Sequence, residues 1–250
     1  MNEVRVNRKA ADRVASGHPW VFASDVTDRD GAQPGEAVRV ADGRGRRIGT
    51  AHYSSSSQIA LRMLSDQVEA VDRDFFFRRL RAAEQYRCRV VHHSDTYRVI
   101  HGEADLLPAL IVDRYGEYLV VQTLNQGMDG AKGEIVSCLG EIFQPRGIVM
   151  RNDVGVRAKE QLASESGVVA GAVPEFVPVH MNGLALRANL LRGQKTGIYL
   201  DQRENYLAAA RYARGGRALD AFTSTGGFAL HLARKCERVE AADSSAPALA

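Results

Sequence analysis

Arg217-Ala-Leu-Asp-Ala-Phe-Thr-Ser-Thr-Gly-Gly-Phe-Ala-Leu-His-Leu-Ala-Arg-Lys-Cys-Glu-Arg-Val-Glu-Ala-Ala-Asp243 is the stretch whose reading decides the fold of the C-terminal third of this 250-residue chain. Arg217 to Phe222 reads as a strand, Gly226 to Lys235 as a helix with Phe228, Leu232 and Ala233 on one face, and Arg238 to Asp243 as a second strand. Strand, helix and strand in that order open a parallel, doubly wound sheet.

Asp220 to Phe228 fills the turn from strand to helix, where glycines let a ligand approach the backbone and a helix N-terminus presents free amides. Asp243 lies 23 residues beyond Asp220, close to the roughly 20-residue separation at which an acidic side chain reaches ribose hydroxyls in such units. The loop has no G-x-G-x-x-G, which disfavours a dinucleotide, and no G-x-x-x-x-G-K-[ST], which excludes a P-loop. A nucleoside without phosphates fits better. S-adenosylmethionine is such a molecule: its ribose can hydrogen-bond Asp243, and Asp220 can face its cationic methionine end. A tight turn with no ligand is the alternative for this loop taken alone.

Upstream, a helix from about Arg203 to Arg214 ends at Gly215-Gly216, a C-cap signal, after an extended stretch from Pro178 to Asn189 and a polar loop from Arg192. In the middle, strand-like runs at Tyr97 to His101, Leu110 to Asp113 and Tyr118 to Leu124 precede a helix over about Gly130 to Phe143 and a short strand at Gly147 to Met150. That order predicts a compact α+β unit rather than a βαβ repeat. The first 65 residues alternate short apolar runs with Gly, Pro and Asp, among them Trp20 to Phe22, Ala37 to Val40, Ile48 to Tyr53 and Ile59 to Leu64, the spacing of a small β-barrel. Asp72 reads as the N-cap of a helix that carries Phe76, Leu80 and Ala83 on one face through Tyr86. The expected division is therefore 1–70, a barrel; 71–175, the α+β unit with its linker helix; and 176–250, the start of the doubly wound domain.

Composition, 45% hydrophobic and 25% charged, is that of an ordinary globular chain and excludes collagen, coiled coil and disorder. No apolar run approaches the roughly 20 residues that span a bilayer, and Met1 to Lys9 does not resemble an export signal; a cytoplasmic location without a membrane partner is expected. Cys88, Cys138 and Cys236 form no CxxC or other metal-ligand spacing, so neither a disulfide framework nor a metal site is expected. Net charge is +4 over residues 1–98 (17 basic, 13 acidic), −5 over 99–175 (6 and 11) and +4 over 176–250 (10 and 6). Arginine outnumbers lysine 28 to 5, which suits phosphate forks and base stacking as well as GC-rich codon usage.

Four segments carry a resemblance to a known family. They are Gly17-His-Pro-Trp-Val-Phe22, Gly102-Glu-Ala-Asp-Leu-Leu-Pro-Ala-Leu-Ile-Val-Asp-Arg-Tyr-Gly116, Gln194-Lys-Thr-Gly-Ile-Tyr-Leu-Asp-Gln-Arg203 and Thr225-Gly-Gly-Phe228. In this order and spacing the chain resembles the PUA-containing 23S ribosomal RNA cytosine-C5 methyltransferases of the large-subunit methyltransferase I type. The resemblance implies an RNA-binding PUA barrel, a central α+β domain and a class I (Rossmann-like) methyltransferase domain that uses S-adenosylmethionine. It further implies large-subunit ribosomal RNA as partner and leaves room for a homodimer. In that family the proline-containing substrate loop and the catalytic cysteine lie downstream of the first acidic strand end. The chain ends at Ala250, soon after Asp243, so no catalytic residue is assigned and the 250 residues alone are expected to be inactive.

The candidate cofactor residues are accordingly Asp220, Phe222, Thr223, Thr225, Gly226, Gly227, Phe228, Asp243, Ser244 and Gln202. The candidate RNA contacts are Arg8, Lys9, Arg13 and His18 near the start, where cations and rings mix, with Lys195 and Arg203 on the segment resembling the family's strap. Asp201 reads alternatively as the cap of the helix after it. Glu103, Asp105 and Asp113 alternate with a buried strand pattern and read as architecture. Two rival functions stand beside the enzyme: a non-catalytic RNA-binding module, and a nucleotide-dependent oxidoreductase that the missing G-x-G-x-x-G disfavours.

Overall fold

A computed structural model describes residues 1–249. The first elements are β1 (Glu3–Val6), α1 (Arg8–Ala15), β2 (Trp20–Phe22), β3 (Val26–Asp28), β4 (Ala37–Ala41), β5 (Arg47–Tyr53) and β6 (Ile59–Ser65). Their six strands form one sheet in the order β2-β6-β5-β4-β1-β3. Alternation decides which side chains face inward: Val4 and Val6, Val38 and Val40, Val21 and Leu61 meet in one core with Ala10 and Ala11 of α1. Asn7 starts α1, its Oδ1 accepting from the Ala10 amide at 2.9 Å.

The chain continues through α2 (Arg73–Val90), β7 (Thr96–His101), β8 (Leu110–Tyr115), β9 (Tyr118–Thr123), α3 (Gln126–Gly130), α4 (Lys132–Phe143), β10 (Gly147–Arg151) and β11 (Ser166–Gly171). Asp72 caps α2 as expected, accepting from the Phe75 amide at 3.0 Å, and the helix runs one turn beyond Tyr86. The sheet order is β11-β10-β9-β8-β7. The unit is no βαβ repeat, but it contains one such crossover: β10 pairs parallel to β9, Gly147 opposite Tyr118 and Met150 opposite Val121. The helices between them return the chain to the same end of the sheet, which a parallel pair requires.

Residues 1–88, 99–112 and 117–173 form one compact unit, so the six-stranded N-terminal sheet and most of the central sheet belong together. Their joint is polar and paired. Glu160, 1% exposed, accepts from the Ser54 hydroxyl at 2.7 Å and meets Arg62 at 3.4 Å; the Trp20 indole donates to Glu103 at 2.7 Å. Gly127 of α3 lies against the His52 imidazole so closely that a Cβ there would overlap the ring.

The second unit comprises residues 89–98, 113–116 and 174 onward. It contains β12 (Val177–Met181), β13 (Leu184–Ala188), α5 (Arg203–Tyr212), β14 (Arg217–Ala221), α6 (Gly227–Leu232) and β15 (Arg238–Ala242). The stretch read as simply extended from Pro178 is a hairpin, Val177 opposite Ala188 and Met181 opposite Leu184. Asn182 (φ 54°) and Gly183 (φ 72°) turn it, both left-handed as a type I′ turn demands. β14 and β15 pair in parallel, Arg217 opposite Arg238 through Ala221 opposite Ala242, with α6 between them as expected.

His52 has a consequence for acid stability. It is 4% exposed, its Nδ1 has no hydrogen-bond partner, and burial pushes its pKa from the ordinary 6.5 to about 4. Between those values the unfolded chain binds a proton that the folded chain refuses, so stability is complete above pH 6.5 and is lost as pH falls toward 4. Urea midpoints across that interval should show a loss on the order of 3 kcal/mol from this site. Substitution His52→Leu should flatten the pH slope, and an unchanged slope would show that the imidazole is not its source.

Candidate functional site

β14 ends at a buried carboxylate. Asp220, 9% exposed, accepts on Oδ2 from the Thr223 hydroxyl and from the Ala229 amide in the first turn of α6 at 2.9 Å. One oxygen thus ties strand, loop and helix together. The loop is wound tightly: Phe222 (φ 63°), Ser224 (φ 51°) and Gly226 (φ 79°) are all left-handed, and the Gly226 amide donates to the Thr223 carbonyl at 3.0 Å. Non-glycine residues take that conformation only when their surroundings hold them. The winding turns the Phe222 ring outward, 89% exposed, and leaves Thr225 half-buried.

Asp243 follows β15. Its Oδ2 accepts from the Ser224 amide and its Oδ1 from the Ser245 amide, each at 2.8 Å, and these backbone donors hold its pKa below the usual carboxylate value. Asp243 therefore stands anionic beside the loop, with its neighbour Ser244 exposed.

Gly227 and Phe228 serve packing. A Cβ on Gly227 would overlap the Tyr206 ring, Phe228 meets that ring edge-on at 4.7 Å, and His231 stacks on it at 5.1 Å. Burial pushes the Tyr206 hydroxyl up to about 12. The His231 tautomer follows from its partners. The Asn182 amide nitrogen, 3.0 Å from Nε2, can only donate, so Nε2 accepts and Nδ1 gives its proton to the Gly227 carbonyl at 2.7 Å. Burial also lowers the His231 pKa, in keeping with a neutral ring.

Beside the loop runs the turn Gln194–Gly197. Gln194 Oε1 accepts from the Ser224 hydroxyl at 3.4 Å. Lys195 lies 3.0 Å from Asp201 and 4.4 Å above the Tyr199 ring. Asp201 is thus engaged by Lys195 and does not cap α5, which corrects its alternative reading; Gln202 occupies the cap position without a side-chain bond to it. Gln202 instead accepts from Asn205 at 2.9 Å.

Of the sequence-derived RNA contacts, Arg8 and Lys9 are exposed at the start of α1, Arg8 within 3.7 Å of Asp12. Arg13 is engaged internally: it pairs with Asp25 at 2.9 Å and lies 5.2 Å over the Phe22 ring. His18 is bound to the Trp20 main chain, Nδ1 3.1 Å from its carbonyl. Arg203 keeps its guanidinium 2.8 Å from Glu204. The structure thus joins Asp220, Thr223, Ser224 and Asp243 into one bonded loop and leaves Arg8 and Lys9 as the open cations of the α1 group. Sequence reading missed Thr196 and Tyr115, both buried and 2.9 Å apart; their signal was the QKTG and DRYG runs themselves, read only as motifs. Among the described residues no group of His, Cys, Asp and Glu could hold a metal, and no helix is long and apolar enough to cross a membrane.

Residues 4–66 match the family model of the PUA-like domain. A Streptococcus mutans protein described as a SAM-dependent methyltransferase shares the fold with TM-score 0.83 at 19% identity, over 100% of this chain and 65% of that one. A protein described as a methyltransferase and solved in complex with SAH does so with TM-score 0.85 at 19% identity, over 100% and 64%. Curated relatives are more similar in sequence. Ribosomal RNA large subunit methyltransferase I of Erwinia tasmaniensis is 42% identical over 238 residues, 93% of this chain and 60% of that protein. Its namesake in Klebsiella pneumoniae is 39% identical over the same shares. The chain spans about 60% of the length of these relatives.

Because Gly227 makes room for Tyr206, Gly227→Ala should destabilise the second unit by about 1 to 3 kcal/mol through overpacking. The urea midpoint followed by tyrosine fluorescence would measure it, and a midpoint equal to wild type would mean that the ring has space in which to move.

Proposed function

We propose that this chain carries the RNA-binding and cofactor-binding parts of an S-adenosylmethionine-dependent methyltransferase that acts on large-subunit ribosomal RNA, at cytosine C5. The observation that carries the reading is the loop from Asp220 to Phe228: a wound strand-to-helix turn with an anionic Asp243 at the end of the next strand. The 42% identity to a large-subunit ribosomal RNA methyltransferase along 93% of the chain supports the substrate class. In this reading Asp243 holds the ribose hydroxyls and Ser244 lies beside them. Phe222, Thr223, Thr225, Gly226 and Gly227 shape the pocket, with Phe228 and Gln202 behind it. When bound, the cofactor supplies an electrophilic methyl group; the residues here hold and orient it.

Residues 1–70 and the strap around Lys195 and Arg203 supply the RNA contacts, with Arg8 and Lys9 the most exposed and Arg13 and His18 shaping the surface behind them. Methylation at cytosine C5 runs through attack of a thiolate on C6, which needs an ionisable cysteine beside the flipped base. Cys138 is buried on α4 with its thiol pKa raised, Cys88 lies on α2, and Cys236 follows α6 away from the loop. None of them is assigned that role.

Calorimetry with S-adenosylhomocysteine tests the cofactor site. Loss of a charge-assisted hydrogen bond should weaken binding of the Asp243→Ala variant about tenfold or more, and wild-type affinity in that variant would remove the assignment. Mobility shifts with ribosomal RNA across a salt series test the other half. When Arg8 and Lys9 are neutralised together, the slope of log K against log[salt] should drop by roughly 0.7 to 0.9 for each phosphate they had neutralised. An unchanged slope would make them solvated bystanders. In a tritiated-methyl assay on the same RNA the chain should bind without transferring methyl, and transfer would show that a catalytic residue lies within it.

A further inference from the structure

We infer that Asp113, Arg98, Thr196 and Tyr115 form a buried lock that positions the turn Gln194–Gly197 and, through Gln194, the cofactor loop; the cofactor half of this inference rests on the function proposed above. Asp113 at the second-unit end of β8 is 0% exposed. Arg98 grips its carboxylate with two parallel hydrogen bonds, Nε to Oδ1 at 2.8 Å and Nη2 to Oδ2 at 3.1 Å. Such a pair satisfies a buried charge and fixes its orientation. It does not account for the third bond, in which the Thr196 hydroxyl reaches Oδ2 at 2.6 Å across 83 residues of sequence.

The direction of the protons is set by the charge. A carboxylate only accepts, so Thr196 gives its single proton to Asp113. Its Oγ1 is then an acceptor for the Tyr115 hydroxyl at 2.9 Å, a shorter bond than the 3.5 Å to that hydroxyl's other acceptor, the Ile198 carbonyl. The Tyr115 oxygen in turn accepts from the Ile198 amide at 3.3 Å. The result is a one-way chain, Ile198 to Tyr115 to Thr196 to Asp113, anchored on the anion. The chain is shielded from water, since Thr196 is 1% and Tyr115 0% exposed.

The lock holds a turn that contains two residues with positive φ. Lys195 is left-handed at φ 54° and Gly197 at φ 152°, and the turn closes by a bond from the Gly197 amide to the Gln194 carbonyl at 2.9 Å. A Cβ on Gly197 would crowd the Tyr115 ring at 3.1 Å, so this backbone is pressed onto the tyrosine. At the other end Gln194 accepts from Ser224 at 3.4 Å, and the Ser224 amide binds Asp243 at 2.8 Å. A bonded path therefore runs from the buried Asp113 to the acid assigned to the ribose. Asp113 and Thr196 are positioning residues that touch no substrate.

The test compares Thr196→Val, which keeps the shape and removes the hydroxyl, with Thr196→Ser, which restores it. Affinity for S-adenosylhomocysteine should fall about tenfold in the valine variant, the effect of removing one hydrogen bond to a charged group, and return to within about twofold in the serine variant. Gln194→Ala, at an exposed position that cannot threaten folding, should weaken binding alone and add nothing in the valine background, because both break the same path. Equal affinity of the valine variant and wild type, or additive effects of the two substitutions, would overturn the inference. Hydrogen exchange gives an independent reading: the amides of 194–199 should exchange faster in the valine variant than in wild type or the serine variant. If the wild-type chain itself binds no S-adenosylhomocysteine, the cofactor reading fails by that fact. The lock is then supported by faster exchange in the valine variant and overturned by unchanged exchange.

Discussion

The constraint on which this structure depends is the cost of burying a carboxylate. An ionised acid taken out of water must be compensated by donors aimed at it, and removing one donor from such a site costs far more than a surface ion pair is worth. Four acids meet that demand here, and each does so by joining separate segments of the chain. Asp25 binds the Asn7 amide group and Arg13, at 3.0 and 2.9 Å, seating α1 on the N-terminal sheet. Glu160 takes Ser54 and Arg62 from the N-terminal sheet and its loops. Asp113 takes Arg98 and Thr196, and Asp220 takes Thr223 and the first turn of α6. Apolar alternation makes the sheets; these acids determine where the loops between them come to rest.

The second unit follows the same rule with a neutral residue. Asn182 occupies the left-handed corner of the β12–β13 hairpin, where asparagine is favoured for its backbone. Its side chain then donates to the Arg203 carbonyl at 2.8 Å and to His231 at 3.0 Å. A turn residue thereby ties the hairpin to the start of α5 and to α6. His231 is left neutral between two fixed partners, and its ring covers the Tyr206 face that Gly227 and Phe228 border from the same helix. The glycine pair between β14 and α6 divides its labour accordingly: Gly226 supplies a left-handed backbone, and Gly227 supplies room.

Much of this was legible in the sequence wherever the signal is local. The β14–α6–β15 unit, the Asp72-capped α2 and the short barrel strands follow from periodicity and punctuation within windows of ten or so residues. Strand direction is not local: nothing in Tyr118 to Met150 says that β10 lies parallel to β9, because the same helix could have returned the chain either way. α1 escaped because its buried face is only Ala10, Ala11 and half of Val14, too thin a stripe among charged residues to register. The Asn182-Gly183 turn was present as a plain hairpin signal and was read through as extended. The buried bonds of Asp113 could not be read at all, since an acid in an alternating strand looks the same whether its partner is water or a threonine 83 residues away. Arginine at position 13 misled for the opposite reason: its charge is visible in the sequence, and the aspartate that engages it is not.

The state of the loop decides what it can offer a ligand. Asp220 is buried with Oδ2 already holding two donors, so that oxygen is committed to the loop and to the start of α6. Asp243 is different. Its backbone amide bonds hold the carboxylate in place and lower its pKa. A loop already wound through three left-handed residues, with its acid already oriented, needs little further ordering to receive any ligand. The backbone strain stored at Phe222 and Ser224 is thus carried by the folded protein through the Asp220 and Asp243 bonds before any ligand arrives, rather than being subtracted from the affinity for it.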